Sequence, residues 1–280
     1  MSWMEVGLGP LRSDMPAPVS SAFFKICKPR LLRLSGLGVD VWVISLRGSP
    51  DRSGPLWQIL GPEERRRGEE FHRQSDSARY VLSHAALRIL LAHYAANDPR
   101  HFRFVCGAHG KPAIDPDLGL PDIRFNLSHS GNLAVLAVNL ASEVGIDIER
   151  IQPARANMAI AERFFSPREI AALRALPEPD QVLGFFSCWT RKEAFLKGRG
   201  DGLSVPLKDF DVSLTPQEPP ELLGSRIDPS EVDRWRLFEV PIEEGYVACL
   251  AIDNSGEDDL HEEGIAFPTQ RADICPSPFL

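Results

Sequence analysis

One order of segments occurs twice in this 280-residue chain, and that repeat constrains the fold more than any single residue. A strand-like run at 39–46 is followed by helical segments. Three short strand-like runs come next: Phe102-Arg103-Phe104, Arg124-Phe125-Asn126 and residues 133–138. A second such run at 144–149 precedes helical segments at about 155–176 and 180–198. It too ends in three strands, Phe210-Asp211-Val212, residues 235–240 and residues 246–252. β-Branched and aromatic residues mark the strands, and apolar positions at helical spacing mark the helices. In the first half a charged helix over 63–72 follows Pro62, and Ser75 offers an N-cap for a second helix carrying Tyr80, Leu87, Leu90 and Leu91. The expectation is an α+β protein of two similar halves, with a cleft between them as the ligand site.

Four segments follow from this order. Residues 1–35, interrupted by Pro10, Pro16, Pro18 and Pro29, read as an irregular N-terminal extension. Residues 36–143 form an N-terminal and 144–253 a C-terminal α+β subdomain, and 254–280 an acidic tail expected to be flexible. With 43% apolar and 25% charged residues, the chain is neither wholly disordered nor collagen-like. A net charge of −8 argues against a general nucleic-acid binder. Five dispersed cysteines without a Cys-x-x-Cys pair exclude a Cys-based zinc site of usual spacing and suit a reducing cytosol. The longest apolar run, residues 133–140, is far too short to span a bilayer, and no secretory signal is read at the N-terminus. The expectation is therefore a soluble, cytoplasmic protein.

Four segments carry candidate chemistry. Asp147 and Glu149 lie two apart in a strand, so both carboxylates leave one face while Ile146 and Ile148 enter the other. Such a pair suits Mg²⁺, although alternating apolar and acidic residues also mark any half-exposed strand. In Trp189-Thr190-Arg191-Lys192-Glu193-Ala194-Phe195-Leu196-Lys197, helical spacing aligns Trp189, Glu193 and Lys197, with Lys192 beside them. A surface Glu–Lys pair would read the same way. The following Gly198-Arg199-Gly200-Asp201-Gly202 lets a backbone approach a ligand closely. Phe125-Asn126-Leu127-Ser128-His129-Ser130-Gly131 ends a strand in a polar turn that offers Ser128 and His129 to a phosphate, and Gly110-Lys111-Pro112 is a turn bearing a cation.

Taken together and in order, these motifs resemble the larger, monomeric class of 4′-phosphopantetheinyl transferases, the surfactin-synthetase-activating type. Arg163-Phe164-Phe165-Ser166 and Gly202-Leu203-Ser204-Val205-Pro206-Leu207 extend the resemblance, which covers roughly residues 40–252. It implies a pseudo-dimer of two α+β subdomains with coenzyme A in the cleft. The implied reaction moves the 4′-phosphopantetheine arm of coenzyme A onto a serine of an apo acyl- or peptidyl-carrier protein. By the same resemblance Asp147, Glu149 and Glu193 surround Mg²⁺, with Glu193 also the candidate base, and Asp147, Glu193 and Lys197 form the catalytic set. Arg67, Arg79, Lys111, Pro112, Ser128, His129, Lys192 and Lys197 would contact coenzyme A. Glu64 stands where some members place a lysine. Ser166 reads as the N-cap of a capping box with Glu169, and Trp189 as a wall of the core or cleft. A non-catalytic coenzyme A or carrier-protein binder and an unrelated Mg²⁺-dependent phosphoesterase are the other readings.

The charge distribution fits an anionic ligand. Residues 253–280 carry seven acidic groups against Arg271, which leaves only −2 for residues 1–252. Residues 187–208 hold Arg191, Lys192, Lys197, Arg199 and Lys208 against Glu193 and Asp201, a local +3 expected to face the site.

Overall fold

The computed structural model describes residues 30–34, 38–216 and 218–255. In the N-terminal half, strands β1 (Arg30–Leu34), β2 (Val39–Ser45), β5 (Arg124–Ser130) and β6 (Leu133–Asn139) form an antiparallel sheet in the order β1-β2-β6-β5. Helices α1 (Pro55–Ile59), α2 (Pro62–Glu70) and α3 (Gln74–Ala95) follow β2, and a hairpin of β3 (Phe104–Cys106) and β4 (Pro112–Ile114) precedes β5. The C-terminal half opens with β7 (Val144–Arg150), then α4 (Met158–Phe164), α5 (Pro167–Ala175) and α6 (Glu178–Arg199). It continues through the β8 (Phe210–Val212) and β9 (Leu222–Ser225) hairpin, α7 (Glu231–Arg234), β10 (Trp235–Glu239) and β11 (Tyr246–Asp253). Its antiparallel sheet runs β10-β11-β7. Two α+β halves are thus present, and 22-residue helices, α3 and α6, dominate them.

Strand periodicity builds three cores. On β6, Ala134, Leu136 and Val138 face α3 with Trp42 and Ile44, while Leu133, Val135 and Ala137 face the other half. On β7 and β11, Val144, Ile146, Ile148, Leu250 and Ile252 complete that shared core between the two sheets. Phe195 and Leu196 of α6 pack beneath Cys249 and Ala251 in a third. A strand buried on both faces must be apolar at every position, which is why residues 133–138 read as an unbroken run.

Several expectations change. Residues 30–34 are not irregular: they pair with β2, Leu32 opposite Val41, and so give β2 a partner on its otherwise open edge. Residues 1–29 of the expected extension and 256–280 of the expected tail lie outside the described residues. The polar motif at 125–131 is not a turn until Gly131. Ser128 and Ser130 pair with Val135 and Leu133 in the β5–β6 ladder, and only Gly131 takes a positive φ, 58°. Ser75 is no cap, since α3 starts at Gln74 with Arg73 at its N-cap and no side-chain bond there. Glu64 accepts from Gly61 N–H at 2.7 Å and from the buried Arg88 at 2.6 Å, so its carboxylate serves the α2 start rather than opposing a ligand.

One contact sets the spacing of the C-terminal half. A Cβ at Gly145 would lie 2.1 Å from both Ala194 O and Gly198 N, so β7 and α6 meet backbone to backbone. Gly198 is equally confined, against the Trp235 ring at 2.6 Å. Gly145→Ala should destabilise the fold by about 3 kcal/mol, the upper end for overpacking, because the clashing atoms are main chain and cannot rotate aside. Urea unfolding checks this, and a variant of wild-type stability would show that β7 and α6 are not in backbone contact.

Candidate active site

The edges of the two sheets, β5 and β7, run side by side in the same direction and are bridged by side chains. Asn126, Ser128 and Ser130 alternate along β5 and so share a face. Asn126 Oδ1 accepts from Ile146 N–H at 2.9 Å, and Ser128 Oγ donates to Asp147 Oδ1 at 2.8 Å. Ser130 Oγ donates to Glu149 Oε2 at 2.8 Å and accepts from Arg150 N–H at 3.1 Å. Ile146 and Ile148 enter the shared core, which leaves Asp147 and Glu149 on the α6 side of β7.

Across from β7, α6 presents Glu193 and Lys197 one turn apart. Lys197 Nζ lies 2.5 Å from Asp147 Oδ1 and donates to Ser128 Oγ at 3.0 Å. Ser128 of one half therefore meets Asp147 and Lys197 of the other. Asp147 is buried, and its second oxygen, Oδ2, has no hydrogen-bond partner. Among the described residues Glu193 makes no hydrogen bond or ion pair. Burial, then the Asp147 charge, raises its pKa, with Lys197 acting in the opposite sense. Burial also raises the pKa of Glu149, against the Ser130 bond.

This donor set fits a hard cation. Three carboxylates facing one another, with a buried oxygen of Asp147 left unpartnered, form an electron-rich site that a divalent ion would neutralise. No three His, Cys, Asp or Glu groups among the described residues stand as a preformed metal cluster. A cation would have to draw the three together.

His129 follows Ser128 but points to the opposite face of β5 and is exposed. Packing around its ring, then the charges of Lys197 and Arg79, lowers its pKa. Arg79 of α3 donates to Asp76 at 2.8 Å and to Asn132 at 3.4 Å. Arg67 is more peripheral, paired with Glu70 at 3.2 Å and set over the Phe71 ring.

Two expected phosphate contacts do not stand at this seam. Lys192 is fully buried on the far side of α6, where its ammonium contacts Glu169 at 2.7 Å, Leu207 O at 2.7 Å and Phe210 O at 2.6 Å. Three acceptors saturate an ammonium, so none of its protons is free for a ligand. Glu169 is equally committed: it caps α5 through Ser166, as the sequence implies, and also accepts from Val212 N–H. Lys111 is saturated too, by Glu143 at 2.6 Å, Gly198 O at 2.7 Å and Val144 O at 3.1 Å. With Pro112 it lines a separate cleft of about 600 Å³, together with Phe125, Glu143 and Arg199.

The expected local +3 disperses likewise. Arg191 is buried against Ser213, and Arg199 pairs with Asp201 and Glu231, leaving Lys197 as the cation among these that reaches the carboxylates. The glycines after α6 serve packing rather than a ligand: Gly200 ends the helix at φ 78°, and Gly202 abuts His109 O. Trp189 packs with Phe164, Phe165 and Phe185. Ser130, Asn126 and Gly145 were not singled out from sequence. The alternation of small polar residues at 126, 128 and 130 was the available signal.

The Lys192–Glu169 pair yields a stability test. Lys192→Met leaves Glu169 buried without its cation and should cost about 3–5 kcal/mol, part of it recovered in Lys192→Met/Glu169→Gln, which removes the uncompensated charge but keeps an acceptor for the Ser166 and Val212 amides. Thermal unfolding of the single and double variants decides, and a single variant of wild-type stability would contradict the buried pair.

Comparison with known proteins identifies the family. A family model described as "4'-phosphopantetheinyl transferase superfamily" matches residues 143–251, and one described as "4'-phosphopantetheinyl transferase, N-terminal" matches residues 50–141. 4'-Phosphopantetheinyl transferase HetI from Nostoc sp. is 34% identical over 229 residues, 82% of this chain and 93% of that protein. 4'-Phosphopantetheinyl transferase Sfp from Bacillus subtilis is 36% identical over 166 residues, 59% of this chain and 71% of its own length. The human L-aminoadipate-semialdehyde dehydrogenase-phosphopantetheinyl transferase is 29% identical over 228 residues, 76% of this chain and 74% of its own length. The motifs at the seam and the extent of these matches make the chain a member of the 4′-phosphopantetheinyl transferase superfamily.

Proposed function

We propose that this protein transfers the 4′-phosphopantetheine group of coenzyme A to a serine of an apo acyl- or peptidyl-carrier protein and releases adenosine 3′,5′-bisphosphate. The observation that carries the reading is the unpartnered Asp147 Oδ2, buried beside Lys197 and Glu193 where the two halves meet. A diphosphate bound there would lie against Lys197 and Ser128, with His129 and Arg79 as the next donors from the N-terminal half. Asp147, Glu149 and Glu193 are the residues that would hold Mg²⁺, which neutralises diphosphate charge when bound.

In the reaction the carrier serine Oγ bonds to the phosphorus bearing the pantetheine arm, and the bond from that phosphorus to the oxygen of the adenosine bisphosphate breaks. The serine proton needs an acceptor. Glu193 is the candidate, because it has no competing partner among the described residues and its raised pKa brings it closer to working pH. Charge accumulating on the departing oxygen is met by Lys197, a preplaced cation that needs no reorganisation. Ser128 keeps the Lys197–Asp147 pair in register with the other half.

We read the protein as a cytoplasmic monomer. One chain supplies both sides of the seam, so no second copy is needed to complete it. Cys106, Cys188 and Cys249 are free thiols, in keeping with a reducing compartment. No helix among the described residues is long and apolar enough to cross a membrane.

Incubation with coenzyme A, Mg²⁺ and an apo carrier should increase the carrier mass by one phosphopantetheine. Tight coenzyme A binding with no gain on several carriers would favour a non-catalytic binder. Asp147→Ala should abolish Mg²⁺-dependent transfer in a folded protein, and normal turnover would remove Asp147 from the site. Lys197→Ala should weaken coenzyme A binding more at low salt than at high salt, because partly exposed charges are screened. Lys192→Met, assayed below its melting temperature, should show no such salt-dependent loss.

A further inference from the structure

We propose that Lys111 is a positioning residue for this reaction: its ammonium ties the last turn of α6 to the start of β7 and so fixes Glu193 and Lys197 against Asp147. The proposal rests on the transferase reading for its kinetic consequences, and on geometry alone for the tie itself.

Lys111 belongs to the N-terminal half, in the β3–β4 turn closed by Gly107 N–H donating to Lys111 O at 2.9 Å. Its side chain leaves that half and is only 16% exposed. One proton goes to Gly198 O, in the last turn of α6, and one to Val144 O, the first residue of β7. The third goes to Glu143, on the segment that joins the two halves. Gly198 directly follows Lys197, and Val144 is three residues before Asp147. A single ammonium therefore holds the ends of both elements whose side chains make the site.

The chemistry of the position requires a cation with several protons. Carbonyls in the last turn of a helix lack intrahelical donors and carry the negative end of its dipole. Gly200 N–H takes Leu196 O, whereas Gly198 O is served from the other half of the molecule by Lys111. The glycines beyond the helix adapt to this approach. A Cβ at Gly200 would come within 3.2 Å of the Lys111 stem, and one at Gly202 within 2.9 Å of His109 O in the same turn. The turn and the α6 C-terminus are thus shaped to each other. Glu143 is shared in turn: its other oxygen accepts from Arg124 at 2.6 Å, and Arg124 also pairs with Asp122.

That sharing supplies the control. Lys111→Met keeps the stem and removes the tie, whereas Arg124→Met removes the second Glu143 ion pair without touching α6. Lys111→Met should lower kcat about ten- to a hundredfold with the KM for coenzyme A unchanged, as expected when reacting groups are misplaced. It should also speed amide exchange in the last turn of α6. Arg124→Met should leave both kcat and that exchange unchanged. Wild-type kcat in Lys111→Met would overturn the proposal. So would a raised coenzyme A KM at unchanged kcat, which would make Lys111 a direct ligand contact, or an equal loss in Arg124→Met. If the wild-type protein transfers nothing, the functional reading fails, yet the exchange comparison still tests the tie, and unchanged protection in Lys111→Met would overturn it. Should Lys111→Met fail to fold, Glu143→Gln weakens one of the three contacts; a partial loss of kcat is then expected, and wild-type kcat is the contrary result.

Discussion

Two glycines in backbone contact determine what the rest of this molecule can do. Gly145 on β7 and Gly198 on α6 leave no room for a Cβ, and only at that separation do the side chains at neighbouring positions of strand and helix reach each other. Asp147 and Glu149 project from β7 toward the helix, and Glu193 and Lys197 project from α6 toward the strand. Without the close approach, Lys197 could not sit 2.5 Å from Asp147 while also donating to Ser128 of the other half. Carboxylates that face a single lysine are electrostatically costly, and Asp147 Oδ2 is a buried oxygen left without a hydrogen-bond partner.

The two halves meet as two unlike interfaces. Across their faces, β2 and β6 pack on β7 and β11 through a wholly apolar core. Along their edges, β5 and β7 are joined by Asn126, Ser128 and Ser130, each reaching across to a backbone amide or a carboxylate. The apolar face supplies cohesion, and the polar edge orients the carboxylates. Two basic residues that look like ligand contacts in the sequence are spent inside this framework: Lys192 holds α5 and β8 to α6, and Lys111 spans the halves.

What could be read from the sequence was what depends on short-range periodicity. The alternation in residues 144–149 placed both isoleucines in a core and both carboxylates opposite, and the four-residue step from Glu193 to Lys197 placed both on one helix face. Ser166 and Glu169 were legible as a capping box because their partners lie three residues apart. Tertiary partners were not legible. Lys192 next to Glu193 reads as a second phosphate contact until Glu169 is found against it across α6. Lys111 meets acceptors 32, 33 and 87 residues away, and no local pattern encodes those separations. Gly145 looks like an interruption of a strand, because the atoms that exclude a side chain belong to a helix some fifty residues later.

The claim on which everything else depends is that backbone contact between β7 and α6 assembles the carboxylates. A Mn²⁺ titration of wild-type protein, Gly145→Ala and Asp147→Ala, followed by electron paramagnetic resonance on samples whose circular dichroism matches wild type, tests it without relying on turnover. If the contact assembles the site, Gly145→Ala weakens Mn²⁺ binding about tenfold or more and approaches Asp147→Ala, since misplaced ligands lose most of their affinity. Wild-type Mn²⁺ affinity in a folded Gly145→Ala protein would contradict it.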